Sequence, residues 1–166
     1  LLGIVTAHYA VEGQGLYGLP FAEYLPYTIT RTWHTQLAVL WIATAWLATG
    51  LYVAPMLAGR DPRFQRLGVN FLFVSLLVIV IGSFAGQWAA VHRFFTNLTA
   101  NFWFGHQGYE YVDLGRFWQI YLLIGLFLWV ALVVRALWPV LRREGGKSLI
   151  YLVLVSALTI GLLYGA

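Results

Sequence analysis

One stretch decides the fold of this chain: residues 34–57, which read HTQLAVLWIATAWLATGLYVAPML. The stretch contains no Asp, Glu, Lys or Arg, and about 20 such residues are enough for a helix to cross the hydrocarbon core of a bilayer. An isolated span must satisfy its own backbone hydrogen bonds in lipid, which a helix does. The stretch therefore predicts a membrane-crossing helix, and the ionisable His34 is the first residue of its apolar part.

The composition of the whole chain agrees with a membrane location. Of its 166 residues, 61% are hydrophobic, 17% are aromatic and only 10% are charged, whereas a soluble domain carries roughly 25% charged residues. The chain has no cysteine, which excludes disulfides, thiolate metal sites and covalent c-type haem attachment. Because the basic residues lie between apolar stretches and not on one solvated face, nucleic-acid binding is excluded as well.

Three further apolar stretches follow the first, at residues 67–90, 117–138 and 148–164. We therefore expect an all-α integral membrane bundle with four transmembrane helices. The first helix should begin after Pro26 and stop near Pro55 and Gly59, because proline and glycine interrupt helices. Gly145-Gly146 should separate the last two helices.

Residues 1–30 differ from the remainder, since they mix glycines, two prolines and polar residues with aromatics. They lack the basic start and the small-residue cleavage site of a signal peptide, and they do not begin with Met. We expect them to be the end of an outer segment, followed by a transmembrane region at 31–166. The chain is then expected to be an internal fragment of a larger bundle.

Charge in the loops predicts the orientation. Three arginines lie in the loop 58–66, and the loop 139–147 holds Arg142, Arg143 and Lys147. The excess of positive charge places these loops in the cytoplasm. Residues 1–30 and 91–116 then face the periplasm or exterior, and His34 lies near the outer surface.

An imidazole that enters a membrane span is costly unless something pairs with it or binds it. Imidazole is also the usual axial ligand of haem iron, so His34 is a candidate ligand. The alternative is an interfacial or packing role, which is the commoner role for a single histidine near a span end. The sequence identifies no partner for His8 or His92, and for both we favour a structural role.

The predicted outer loop before the third span contains a second candidate site, at His106 and Glu110. If this segment is helical, the spacing of four residues puts both side chains on one face. The surrounding aromatics suit an interfacial belt or a pocket for a flat, amphiphilic ring, and the pair is suited to accept protons from a reduced quinone. The alternative is a surface ion pair worth about 0–1 kcal/mol. The span interiors carry no charged residue apart from Arg135, which argues against a self-contained pump.

The run Tyr24-Leu25-Pro26-Tyr27-Thr28-Ile29-Thr30-Arg31-Thr32-Trp33-His34-Thr35-Gln36 resembles the start of a transmembrane helix in the nitric oxide reductases, a branch of the haem–copper oxidase superfamily. Four other runs look like the quinol-dependent, single-chain form: Thr6-Ala7-His8-Tyr9, Val11-Glu12-Gly13, Arg60-Asp61-Pro62 and Gly105-His106-Gln107-Gly108-Tyr109-Glu110-Tyr111. The similarity covers essentially the whole chain in order.

This resemblance implies roles for particular residues. His34 matches one of two axial ligands of a low-spin haem b, and Arg31, three residues earlier, is placed to pair with a haem propionate. His106 and Glu110 match residues of the quinol site. In cytochrome c-dependent relatives the position of Glu110 helps to bind a structural calcium, so calcium is the lesser alternative there, and the nearby Asp113 does not decide it.

The chemistry implied by the resemblance is the reduction of two molecules of nitric oxide to nitrous oxide and water, with electrons from quinol, in the bacterial inner membrane. A high-spin haem b and a non-haem iron would complete the parent protein. Their ligands and the second axial histidine are expected on later helices, so this chain should hold no catalytic residue and be inactive alone. The alternatives are a non-enzymatic haem-binding or anchoring subunit of a respiratory complex and, less favoured, a cytochrome c-dependent catalytic subunit.

Overall fold

The computed structural model describes residues 1–15, 18–108, 114–142 and 147–165. Within those ranges the chain forms seven helices: α1 (Leu2–Glu12), α2 (Phe21–Tyr24), α3 (Tyr27–Ala58), α4 (Gln65–Val91), α5 (Leu98–Phe104), α6 (Arg116–Leu141) and α7 (Lys147–Gly165). The four apolar stretches of the sequence lie inside α3, α4, α6 and α7. The all-α prediction is therefore confirmed.

Three of these helices, α3, α4 and α6, are long and apolar enough to cross a membrane. Large apolar side chains are exposed along all three, which is the arrangement expected where lipid or further protein surrounds a helix. Helix α7 has 19 residues, but the apolar part that the structure describes, Ser148–Thr159, is shorter than a span. The chain is a multi-pass membrane protein, and a fourth span stays a prediction.

Helix α3 begins at Tyr27, directly after Pro26, and continues through Pro55 to Ala58. Pro55 thus does not stop the helix, although a proline removes one backbone hydrogen bond and crowds the preceding turn. Prolines are tolerated in membrane helices where neighbouring groups compensate. The helix ends because Gly59 takes a left-handed conformation, with φ of 67°, and its N–H donates to the Met56 carbonyl at 3.1 Å.

The chain groups into two compact units. The second unit comprises residues 42–80 and 119–166, and Trp129 lies in its core together with Ala54, Val133, Ala136, Leu137 and Val153. The indole N–H of Trp129 donates to the Leu47 carbonyl oxygen at 2.9 Å. Gly50 permits this approach, because a Cβ at that position would lie 2.6 Å from the indole.

The same unit holds Arg135, a charged side chain in the interior of α6. Its guanidinium donates from Nη2 to the Oε1 of Gln65 at 3.0 Å, and Gln65 is buried. A charge within an apolar helix requires a hydrogen-bonding partner. The first residue of α4 supplies that partner, so Arg135 has a structural explanation.

The first unit comprises residues 1–41 and 81–118 and contains both candidate sites of the sequence. Its interior includes four buried polar side chains, Thr30, Gln36, Ser83 and Gln87. Trp33 of α3 stacks on Phe84 of α4, with ring centroids 5.0 Å apart and planes within 8° of parallel. This stack fixes the rotation of α3 about its axis, and therefore decides which side of α3 faces away from α4.

Candidate functional site

His34 lies on the exposed side of α3, next to the inward-facing Trp33. Leu37, Ala38 and Trp41 continue the exposed stripe at helical spacing. Within the part of the chain that the structure describes, neither ring nitrogen of His34 has a hydrogen-bond partner. An unsatisfied imidazole on an apolar helix face needs a partner that the described residues do not supply.

The surroundings of His34 fit the axial ligation of a flat macrocycle. Ala38, one turn further along α3, has the smallest side chain of the stripe, and Leu37 and Trp41 add apolar surface that is 39% and 67% exposed. Such a stripe matches the apolar ring of a haem, while a free imidazole nitrogen matches its iron. The residues present therefore fit the haem that the sequence resemblance implies.

Arg31 lies one helical turn before His34, as its position in the sequence requires. Its guanidinium carbon is 5.9 Å from the centroid of the Tyr27 ring, a distance typical of a cation–π contact. The side chain thus reaches back toward the start of α3, the direction that helical side chains favour. This direction suits a charged group at the end of a span.

His106 follows α5, a short helix that begins at Leu98 and is capped by Asn97, whose side chain accepts the Thr99 N–H at 2.8 Å. The helix ends at Phe104, so His106 lies in a loop. A helix in this segment, as considered from the sequence, would put His106 and Glu110 on one face. His106 is not in a helix, because α5 ends before Gly105. Glu110 and Asp113 lie outside the described residues.

The loop fixes the tautomer of His106. The Gly108 N–H donates to Nδ1 of His106 at 3.0 Å, and a nitrogen that accepts a hydrogen bond carries no proton. In the neutral ring the proton is then on Nε2. Nε2 has no partner among the described residues, so His106 presents an N–H donor to an incoming oxygen.

Side-chain hydrogen bonds hold this loop in place. Gln107 donates to the Leu114 carbonyl at 3.1 Å and accepts from Arg116 at 3.1 Å. The Trp118 indole N–H donates to the Phe104 carbonyl at 3.0 Å. The loop that carries His106 is therefore fastened at both ends to the beginning of α6.

Two glycines of α4 let the end of α5 and the beginning of α6 pack closely against α4. A Cβ at Gly82 would overlap the Trp118 indole, and a Cβ at Gly86 would overlap the Phe104 carbonyl oxygen. Small residues four apart are a known signal for close helix packing in membranes. The sequence reasoning missed this pair, although the Gly82-x-x-x-Gly86 spacing was visible.

The two remaining histidines have structural partners. His8 lies 3.1 Å from the Glu12 carboxylate. His92 stacks on Trp88 with centroids 4.3 Å apart, and its two ring nitrogens lie 2.8 and 2.9 Å from the carbonyl oxygens of Trp88 and Glu23. Among the described residues, no group of three or more His, Cys, Asp or Glu side chains is placed to hold a metal ion.

The long apolar helices define a multi-pass helical membrane protein. The family of Cytochrome C and Quinol oxidase polypeptide I matches residues 1–166, and the chain belongs to this family. It is thus a haem–copper oxidase-type membrane subunit and, in general terms, an oxidoreductase. The superfamily prediction is confirmed. A comparison with curated proteins finds no match.

Proposed function

We propose that this chain is part of a quinol-dependent nitric oxide reductase of the bacterial inner membrane, and that it supplies the region where electrons enter. The observation that carries the proposal is His34, an imidazole without a partner on an exposed apolar face of a haem–copper oxidase-type chain. The resemblance of residues 24–36 to the nitric oxide reductases, and of residues 105–111 to their quinol-dependent form, supports this proposal within the family.

In this proposal the Nε2 or Nδ1 atom of His34 ligates the iron of a low-spin haem b. Once bound, the haem supplies a one-electron relay between quinol and the catalytic metals. Arg31 contributes positive charge at the outer end of α3, where a carboxylate of the haem edge would need it. A second histidine, a high-spin haem b and a non-haem iron belong to further helices of the protein.

The tautomer of His106 indicates which hydrogen bond the loop would make to quinol. With the proton on Nε2, the ring donates a hydrogen bond to a quinol or quinone oxygen and cannot accept the quinol proton at that nitrogen. Oxidation of quinol to quinone releases two electrons and two protons, so a separate acceptor is needed. Glu110 is the proposed acceptor of the two protons, one after the other, and it passes each on toward the water that forms; calcium at Glu110 is the lesser alternative.

The overall reaction balances. One quinol and two molecules of nitric oxide give one quinone, one nitrous oxide and one water. Residues 1–30 and 91–116 face the periplasm in this proposal, the loops 58–66 and 139–147 face the cytoplasm, and α7 is the fourth span. His34 then lies near the outer face, on the same side as the loop of His106.

The haem assignment is tested in the full-length protein by His34→Ala. We expect the low-spin haem b absorbance to disappear while the protein remains in the membrane. His8→Ala is the matched control, because His8 belongs to the same unit and already pairs with Glu12. A low-spin spectrum that survives His34→Ala would overturn the assignment.

The quinol assignment is tested by comparing two electron donors in membranes that contain His106→Ala. Turnover of nitric oxide with quinol should fall far more than turnover with an artificial donor that bypasses the loop. Equal losses with both donors would indicate misfolding and contradict the quinol role. Oxygen reduction without nitric oxide reduction would contradict the nitric oxide reductase assignment and favour another activity of the family.

A further inference from the structure

Helix α1 reaches the imidazole of His34 through Gly3. A Cβ at Gly3 would lie 2.9 Å from Cε1, 3.1 Å from Nε2 and 3.4 Å from Nδ1 of His34. Contacts between carbon atoms are most favourable at about 3.5–4.0 Å, so a larger residue at this position would require the His34 ring to shift. The nearest three atoms are all atoms of the His34 ring.

These distances give the direction of the contact. The two nitrogens are nearly as close to the Cβ position as Cε1 is, which means that the position lies over the face of the ring and not beyond its edge. The lone pair of an unprotonated imidazole nitrogen points outward in the plane of the ring. Gly3 therefore covers one face of His34 without blocking the direction from which iron would bind.

The rotation of a histidine ring about its last torsion angle is broad and poorly fixed by its own helix. Neither nitrogen of His34 has a hydrogen bond within the described ranges to fix that torsion. The backbone of α1 at Gly3 is the contact that restricts the ring from one side. We propose that Gly3 is a positioning residue, which sets the plane of the His34 imidazole for haem ligation.

This inference rests on the proposed haem role of His34 and deepens it. It links α1, part of the predicted outer segment, to the haem through His34. The orientation of an axial imidazole influences the electronic structure of a low-spin haem, which is visible in its electron paramagnetic resonance spectrum. Groups that orient a metal ligand commonly contribute about 10–100-fold to metal affinity.

The test uses Gly3→Ala and Gly3→Val in the full-length protein, with Gly15→Ala as the matched control. A Cβ at Gly15 meets nothing within 4 Å, and its φ is not in the left-handed range. Alanine also favours helix over glycine, so Gly3→Ala should not weaken α1 itself. A loss seen in Gly3→Ala would thus come from the ring contact.

We expect Gly3→Ala to shift the low-spin resonance signal and the haem midpoint potential, and Gly3→Val to weaken haem retention roughly tenfold or more. Spectra are normalised to the amount of the protein in the membrane, so that a variant that accumulates poorly can still be compared with the others. If both Gly3 variants match Gly15→Ala, this inference is wrong while the haem role of His34 stands. If His34→Ala retains the low-spin signal, the haem role itself is wrong.

Discussion

Gly86 offers the sharpest test of how the His106 loop is held. Gly86→Ala places a methyl group where the Phe104 carbonyl oxygen lies, and a backbone atom cannot turn aside as a flexible side chain can. Inserting a carbon into a packed site costs about 1–3 kcal/mol. We expect the upper end, about 3 kcal/mol, because the Phe104 carbonyl oxygen is a backbone atom. Replacing glycine by alanine in a helix returns about 0.5–1 kcal/mol. The net loss of packing free energy is therefore about 2 kcal/mol.

Gly125→Ala is the matched control, since Gly125 also lies inside a long apolar helix but a Cβ there meets nothing within 4 Å. The assay is hydrogen–deuterium exchange of the backbone amides in residues 98–108. A local loss of about 2 kcal/mol corresponds to roughly 30-fold faster exchange. We expect this acceleration in Gly86→Ala and none in Gly125→Ala. Equal exchange in the two variants would refute the packing argument.

Two further predictions concern one contact in each unit. Trp129→Phe keeps an aromatic ring but loses the hydrogen bond to the Leu47 carbonyl, so the free energy of unfolding should fall by about 1 kcal/mol. Trp129→Ala should lower it by about 3–5 kcal/mol. Thermal unfolding in detergent should therefore show a lower melting temperature for Trp129→Ala than for Trp129→Phe, and equal melting temperatures would contradict the prediction. His92→Phe keeps the stack on Trp88 but removes both carbonyl contacts, so limited proteolysis should cut residues 20–25 faster than in the wild type; an unchanged cleavage rate would show that these contacts do not hold the segment.

The long helices could be predicted from the sequence because their apolar stretches contain no charged residue except Arg135. The structure of the outer segment was harder to predict. Residues 1–30 were expected to be the end of an outer segment, and no helix was predicted there; in the structure Leu2–Glu12 form α1. Gly13, Gly15 and Gly18 lie after this helix, and its one glycine, Gly3, lies in the first turn.

The geometry of the candidate site depends on facts that the sequence does not carry. Residue type and spacing predicted His34 and His106 as candidates. The sequence could not show that Nδ1 of His106 accepts a backbone N–H, because that hydrogen bond depends on how the backbone between His106 and Gly108 is folded. Nor could it show that Gly3 lies over His34, since the two residues belong to different helices.

One turn of α4 connects the two candidate sites within the first unit. Phe84 stacks on Trp33, the residue before His34, and Gly86 contacts the carbonyl of Phe104, two residues before His106. Phe84 and Gly86 are two residues apart on a rigid helix, so the stack and the carbonyl contact cannot move independently of each other. Electron transfer between quinol and haem would require a fixed separation of their sites. The packing of α4 gives a physical reason for such a separation. Under the proposed function, we therefore expect a change at Gly86 to slow electron entry although it replaces neither His34 nor His106.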